Sequence, residues 1–247
     1  EHFLKAVPET VERVAVLDRT KEPGAGGEPL LLDVQSAFYD SKFRPTIIGG
    51  RYGLGSKDVT PADILGIFDH LATETELKSR FTIGIEDDVT YLSLPKGEEV
   101  DLISAGTYQA KFWGFGSDGT VGANKSAIKL IGDHTDKYVQ GYFSYDSKKS
   151  GGLTVSHLRF GDNPIKSTFL IEQADFIACH TAAYLSKYDL VKGLKKGGTF
   201  LLNTVWDDEK LAQMLPYKLK KYLAENEIKF YTINAVQLAN QIGLGRR

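Results

Sequence analysis

The sequence predicts an α/β fold, arranged as two Rossmann-like three-layer domains with mainly parallel sheets. Short β-type apolar runs alternate with amphipathic helical stretches along most of the 247 residues, as βαβ units require. That length suits one large domain or two small ones. A polar stretch at residues 86–101, carrying Pro95 and Gly97, interrupts the alternation. It sets a boundary near residue 100, with residues 1–100 and 101–247 as the two domains.

The elements follow in order. RVAVL (13–17) reads as the first strand and is followed by a Gly/Pro-rich loop. A helix over about 29–39 has Pro29 at its first turn, where the missing N–H costs nothing. PTIIG (45–49) is the second strand. Thr60-Pro61-Ala62-Asp63 starts a helix in which Ile64, Ile67, Phe68 and Leu71 recur at helical spacing. Residues 81–85 form a third strand. The second half begins with a strand at 108–113 and a helix at about 121–131. Strands at 138–145, 153–160, 176–179 and 199–205 come next, with helices at 184–194 and 208–225. Asp207, Asp208 and Glu209 place negative charge at the start of the latter helix. A strand at 230–233 and a helix at 235–242 close the chain.

Composition narrows the function. The chain is 42% hydrophobic and 25% charged, ordinary for a globular protein, and its net charge is −2. Acids and bases are mixed along it, with none of the basic striping of a nucleic-acid binder. No apolar run approaches the ~18 residues of a membrane span, and no signal sequence is visible. One cysteine, Cys179, can neither form an internal disulfide nor hold an iron–sulfur cluster, which takes about four thiolates. It reads as an inert core thiol in a reducing compartment. A chain that opens on Glu1 and ends Gly-Leu-Gly-Arg-Arg reads as a piece excised from a longer protein.

The strongest local signal is Gly114-Phe115-Gly116-Ser117-Asp118-Gly119, a G-x-G-x-x-G pattern between an expected strand and helix. Glycines there allow a tight turn and close approach of backbone to a pyrophosphate, whose charge the helix start favours. The plainer alternative is a strand-to-helix turn without a ligand. For a dinucleotide, an acid should follow about 20 residues on, at the end of the next strand. Asp146 qualifies by position, but Ser147-Lys148-Lys149-Ser150-Gly151-Gly152 follows it and better suits a further phosphate. Taken alone, Lys148 and Lys149 fit a solvated loop better than a ligand site. Arg159, on an apolar strand with His157, either faces solvent or points at an anion. His134 and His180 read as helix-end and strand-end residues, and the pairs Asp87-Asp88 and Asp207-Asp208 as turn and helix-start acids. No histidine has metal-ligand spacing, and no nucleophile–base pair has positional support, so neither a catalytic residue nor a metal site is expected.

AVLDRTKEPGAGGEPLLLDV (15–34) and IIGGRYGLGSKDVTPADILGIFDHL resemble the second domain of pyruvate:ferredoxin (or flavodoxin) oxidoreductases. GFGSDGTVGANKSAIKLIG and YFSYDSKKSGGLTVSHLRFGDNPI resemble the third. The likeness covers essentially the whole chain. It implies a parent enzyme that decarboxylates pyruvate oxidatively on thiamine diphosphate, passes electrons through iron–sulfur clusters to ferredoxin or flavodoxin, and makes acetyl-coenzyme A and CO2. In that family the thiamine and cluster sites lie in other domains, so this piece alone is expected to be inactive. Residues 1–100 resemble the C-terminal domain of transketolases. Residues 101–247 resemble the gamma subunit of multi-subunit relatives, which takes part in coenzyme A binding. The likeness carries coenzyme A onto Ser117, Asp118, Gly119, Thr120 and Val121 and onto Lys148 and Lys149. Gly114 and Gly116 of the glycine pattern and Arg159, if it points at the anion, complete the expected binding residues. Arg246 stands where the family often has Asn. The parent is expected to be a cytoplasmic homodimer. The readings that compete with this one are a non-catalytic interaction module and an NAD-binding Rossmann domain.

Overall fold

The computed structural model describes residues 2–86, 89–146 and 152–244. The chain divides into two compact units, Glu1–Leu102 and Ile103–Arg247.

The first unit runs α1 (His2–Ala6), β1 (Arg13–Asp18), α2 (Pro29–Phe38), β2 (Thr46–Arg51), α3 (Pro61–Ala72) and β3 (Arg80–Thr82). The strands form a parallel sheet in the order β1-β2-β3. Side chains alternate across it. Val14, Val16 and Ile47 pack with Leu31, Val34 and Phe38 of α2 on one face. Ala15, Leu17 and Ile48 pack with Ile67 of α3 on the other. Asp18, at the end of β1, accepts the N–H groups of Leu30 and Leu31 at 2.9 and 3.1 Å and so anchors the start of α2. Thr60 and Asp63 form a capping box on α3. β3 stops earlier than the pattern 81–85 suggests, because the chain leaves extended geometry at Gly84, where φ is +70°. Ile83 nevertheless stays in the core, fully buried. Asp87 and Asp88 lie outside the described residues.

The second unit runs β4 (Tyr108–Phe115), α4 (Thr120–His134), β5 (Tyr138–Tyr145), β6 (Leu153–Gly161), β7 (Ala174–Cys179), β8 (Leu194–Asn203), α5 (Asp208–Met214), α6 (Tyr217–Glu225), β9 (Lys229–Ile233) and α7 (Ala235–Gln241). Its six-stranded sheet has the order β5-β6-β4-β7-β8-β9. β4, β7, β8 and β9 are mutually parallel, while β6 is antiparallel to both β4 and β5. The connection from β4 through α4 therefore leads to β5 with β6 lying between, not to an adjacent strand. Ile177, Cys179, Phe200 and Leu202 face a core closed by Leu211 of α5, Leu215 just after it, and Leu219 and Leu223 of α6. Burial pushes the Cys179 thiol up to about 11, so it is an un-ionised core thiol.

Two expected helices come out differently. Residues 184–194 do not form one: Ala182–Tyr184 makes a single 3-10 turn, and the chain then buries Leu185, Leu190 and Val191 through turns. Gly193, at φ +76°, ends the segment where Leu194 pairs with Ala174 of β7, so β8 begins five residues ahead of the expected 199. The expected helix at 208–225 is two helices, because Pro216 has no N–H to continue α5 and drives Leu215 to extended backbone.

Candidate ligand-binding cleft

The glycine turn sits at the carboxyl end of β4. Gly114 is still in the strand. A Cβ on it would lie 2.4 Å from Thr120 Oγ1 and 2.7 Å from Asp118 Oδ2, so only glycine lets the helix start close onto the strand. Ser117 and Gly119 adopt left-handed backbone, at φ 73° and 88°. Asp118 folds back over the turn. Its Oδ2 accepts the Phe115 N–H at 2.9 Å and its Oδ1 accepts the Thr120 N–H at 2.8 Å. Part of the helix's capacity for an anion is thus met from within the chain. Val121 and Gly122 follow in the first turn of α4, where N–H groups have no helical carbonyl behind them.

A cleft of about 570 Å³ opens beside this turn, at the carboxyl ends of β4, β7, β8 and β9. Ser117, Asp118, His180, Asn203 and Asn240 supply its polar surface, and Leu201, Ile233, Val236 and Ala239 its apolar wall. Ligands of open α/β sheets bind at this edge, where successive connections leave in opposite directions. Here that place is between β4, whose connection leads toward β5, and β7, which leads toward β8 and β9.

His180 is the strand-end residue that the sequence predicts, yet sequence reasoning assigns it no place in the site. It follows Cys179 directly, at the tip of β7. Its N–H donates to Trp113 O at 2.9 Å, and its carbonyl accepts from Asn203 Nδ2 at 3.1 Å. Its Nδ1 lies 2.7 Å from Thr120 Oγ1, which joins the tip of β7 to the first residue of α4. Burial pushes its pKa down and the Asp118 charge pulls the other way, with the net shift downward, so the ring is neutral at pH 7. A histidine immediately after the apolar run FIAC, at the carboxyl end of a parallel strand, was the available signal.

Gly114, Gly116, Ser117, Asp118, Gly119, Thr120 and Val121 all lie at this one place. Lys148, Lys149 and Arg246 lie outside the described residues; Gly152, three residues after Lys149, meets the turn, its O accepting the Gly116 N–H at 2.8 Å. Arg159 takes neither expected course. It pairs with Gln109 at the opposite end of β4 and is 2% exposed. Its guanidinium donates to Gln109 Oε1, Gln140 Oε1 and Phe169 O at 2.8–3.0 Å. With those acceptors a buried guanidinium is satisfied inside the fold, and it does not join the cleft. His157 beside it accepts the Ile171 N–H at 3.1 Å, and burial, with Lys111 and Arg159 nearby, lowers its pKa to about 3. Asp146 follows β5, two strand positions from β4 and therefore about 10 Å across the sheet, which weakens the dinucleotide reading. Among the described residues no group of three or more His, Cys, Asp or Glu is placed to hold a metal, and no helix is long and apolar enough to cross a membrane.

A glycine turn flanking a cleft at the carboxyl edge of parallel strands defines a Rossmann-like unit with a candidate ligand site. Residues 109–247, more than half of the chain, match the family Pyruvate ferredoxin/flavodoxin oxidoreductase, and the chain belongs to that family. Over its whole length it is similar to the pyruvate-flavodoxin oxidoreductase of Enterobacter agglomerans, at 59% identity, and to the pyruvate:ferredoxin oxidoreductase of Moorella thermoacetica, at 56%. It spans 21% of the length of each. A pyruvate oxidoreductase subunit from Thermotoga maritima aligns with 55% of this chain and 66% of its own, at 21% identity and a TM-score of 0.43.

Proposed function

We propose that this chain is part of an enzyme that oxidises pyruvate at the expense of ferredoxin or flavodoxin, and that its second unit binds the coenzyme A that accepts the acetyl group. In this reading the first unit is the transketolase-like domain and the second the gamma-subunit-like domain of a cytoplasmic, homodimeric parent. Thiamine diphosphate and the iron–sulfur clusters belong to the remaining domains. The observation that carries the coenzyme reading is the bond from Gly116 N–H to Gly152 O. It ties the glycine turn to the base of the lysine loop. Lys149 is three residues along the chain from Gly152, and three residues span at most about 11 Å. Coenzyme A has a pyrophosphate and a separate phosphate on its ribose, so it has groups for both the turn and the lysines. The free N–H groups at Val121 and Gly122 are the donors for the first, and charge-assisted bonds from Lys148 and Lys149 serve the second.

Calorimetry on the 247-residue chain with coenzyme A, dephospho-coenzyme A and NADH tests this. Coenzyme A should bind best, and changing Lys148 and Lys149 together to alanine should weaken it at least tenfold, about 1.4 kcal/mol. Tight NADH binding indifferent to the lysines would instead favour the dinucleotide reading. The chain alone should not reduce methyl viologen with pyruvate and coenzyme A.

A further inference from the structure

We infer that His180 presents a fixed Nε2–H donor to the ligand of the cleft, and that it reads a neutral acceptor of the amide-carbonyl class. The inference rests on the coenzyme reading and adds to it a residue and a part of the ligand. Thr120 is 1% exposed, and its hydroxyl proton needs an acceptor. Among the described residues the only one within reach is His180 Nδ1, at 2.7 Å. Thr120 therefore donates to Nδ1, and a neutral imidazole that accepts at Nδ1 carries its proton on Nε2. His180 lines the cleft, and Nε2 has no partner among the described residues. Backbone bonds to Trp113 and Asn203 fix the main chain of His180, and the ring is oriented by Thr120 at Nδ1 and by a T-shaped contact with Phe112, 6.3 Å between ring centres.

The charge of the surroundings selects the acceptor. Asp118 lines the cleft together with His180, whereas the phosphate donors Val121 and Gly122 do not, so its carboxylate disfavours a second anion on the His180 side. A neutral imidazole next to that carboxylate suits an uncharged carbonyl. The apolar wall of Leu201, Ile233, Val236 and Ala239 suits an uncharged chain carrying that carbonyl. The pantetheine arm of coenzyme A is such a chain, with two amides. Its phosphates are left to the turn and the lysine loop.

Two substitutions separate the ring's two edges. Asparagine at this position keeps an acceptor for Thr120 but loses the outer donor, whereas glutamine places its amide N–H near the position of Nε2. His180→Asn should weaken coenzyme A and pantetheine about fivefold, and His180→Gln should stay within about twofold of the parent chain. The adenosine bisphosphate half of coenzyme A should bind equally to all three. Nitrogen NMR of the unliganded chain should show His180 as the Nε2–H tautomer. An Nδ1–H tautomer, or unchanged coenzyme A affinity in His180→Asn, overturns this role and leaves the coenzyme reading standing. Failure of the parent chain to bind coenzyme A overturns both.

Discussion

Asp118 holds the N–H of Thr120 with one carboxylate oxygen, at 2.8 Å, while its other oxygen holds the N–H of Phe115. One side chain therefore closes the strand end onto the helix start. The same device recurs in the first unit, where Asp18 at the end of β1 takes two N–H groups of α2. Replacing Asp118 by alanine leaves two backbone donors without their acceptor. Urea unfolding of Asp118→Ala should show a loss of about 1–2 kcal/mol, with Asn intermediate because its amide nitrogen cannot accept. Amide exchange at Phe115 and Thr120 should quicken in the alanine variant.

Gly114 and Gly119 matter for different reasons, and substitutions should separate them. Alanine at Gly114 puts a Cβ against Thr120 Oγ1 and Asp118 Oδ2, so it should cost roughly 1–3 kcal/mol and disturb the turn. At Gly119 nothing lies within 4 Å and only the backbone at φ +88° is demanding. Asparagine, which tolerates left-handed geometry, should therefore be close to neutral there. Thermal melts of Gly114→Ala and Gly119→Asn check both.

In the first unit, a Cβ on Gly66 of α3 would stand 2.3 Å from the carbonyl oxygen of Pro95. Helix propensity alone would make Gly66→Ala stabilising. The collision is with backbone, so the variant should instead lose stability, by roughly 1–3 kcal/mol in urea unfolding. A stabilised Gly66→Ala would show that residues 95–97 can give way.

His157 ties stability to pH. Its folded pKa is about 3, against 6.5 for the free side chain. Below pH 6.5 the unfolded chain takes up a proton that the folded chain refuses. Its contribution is therefore full above pH 6.5 and falls as the pH drops toward 3, by up to about 1.4 kcal/mol per pH unit. His157→Asn keeps an acceptor for the Ile171 N–H and removes the titration. Unfolding measured at pH 7 and pH 4.5 should show a smaller loss in the variant than in the parent chain.

Residue order alone determined the α/β class, most strand positions, the glycine turn and the family resemblance. Those signals are local: alternation in RVAVL, a proline at a helix start, glycines where the backbone turns sharply. Pro216 was equally local, and the break it makes in the expected 208–225 helix was legible in the sequence. The tertiary structure decided the rest. No periodicity reveals that β6 lies antiparallel between β4 and β5, because strand order is set by long-range pairing that leaves no trace in a short window. Arg159 illustrates the same limit: Gln109, Gln140 and Phe169 surround it from three separated stretches of chain, which makes it a satisfied core residue and not an anion ligand. His180 enters the cleft for the converse reason. Thr120 is sixty residues earlier, and only the pairing of β4 with β7, which sets the first residue of α4 beside the residue after β7, brings its hydroxyl to the imidazole.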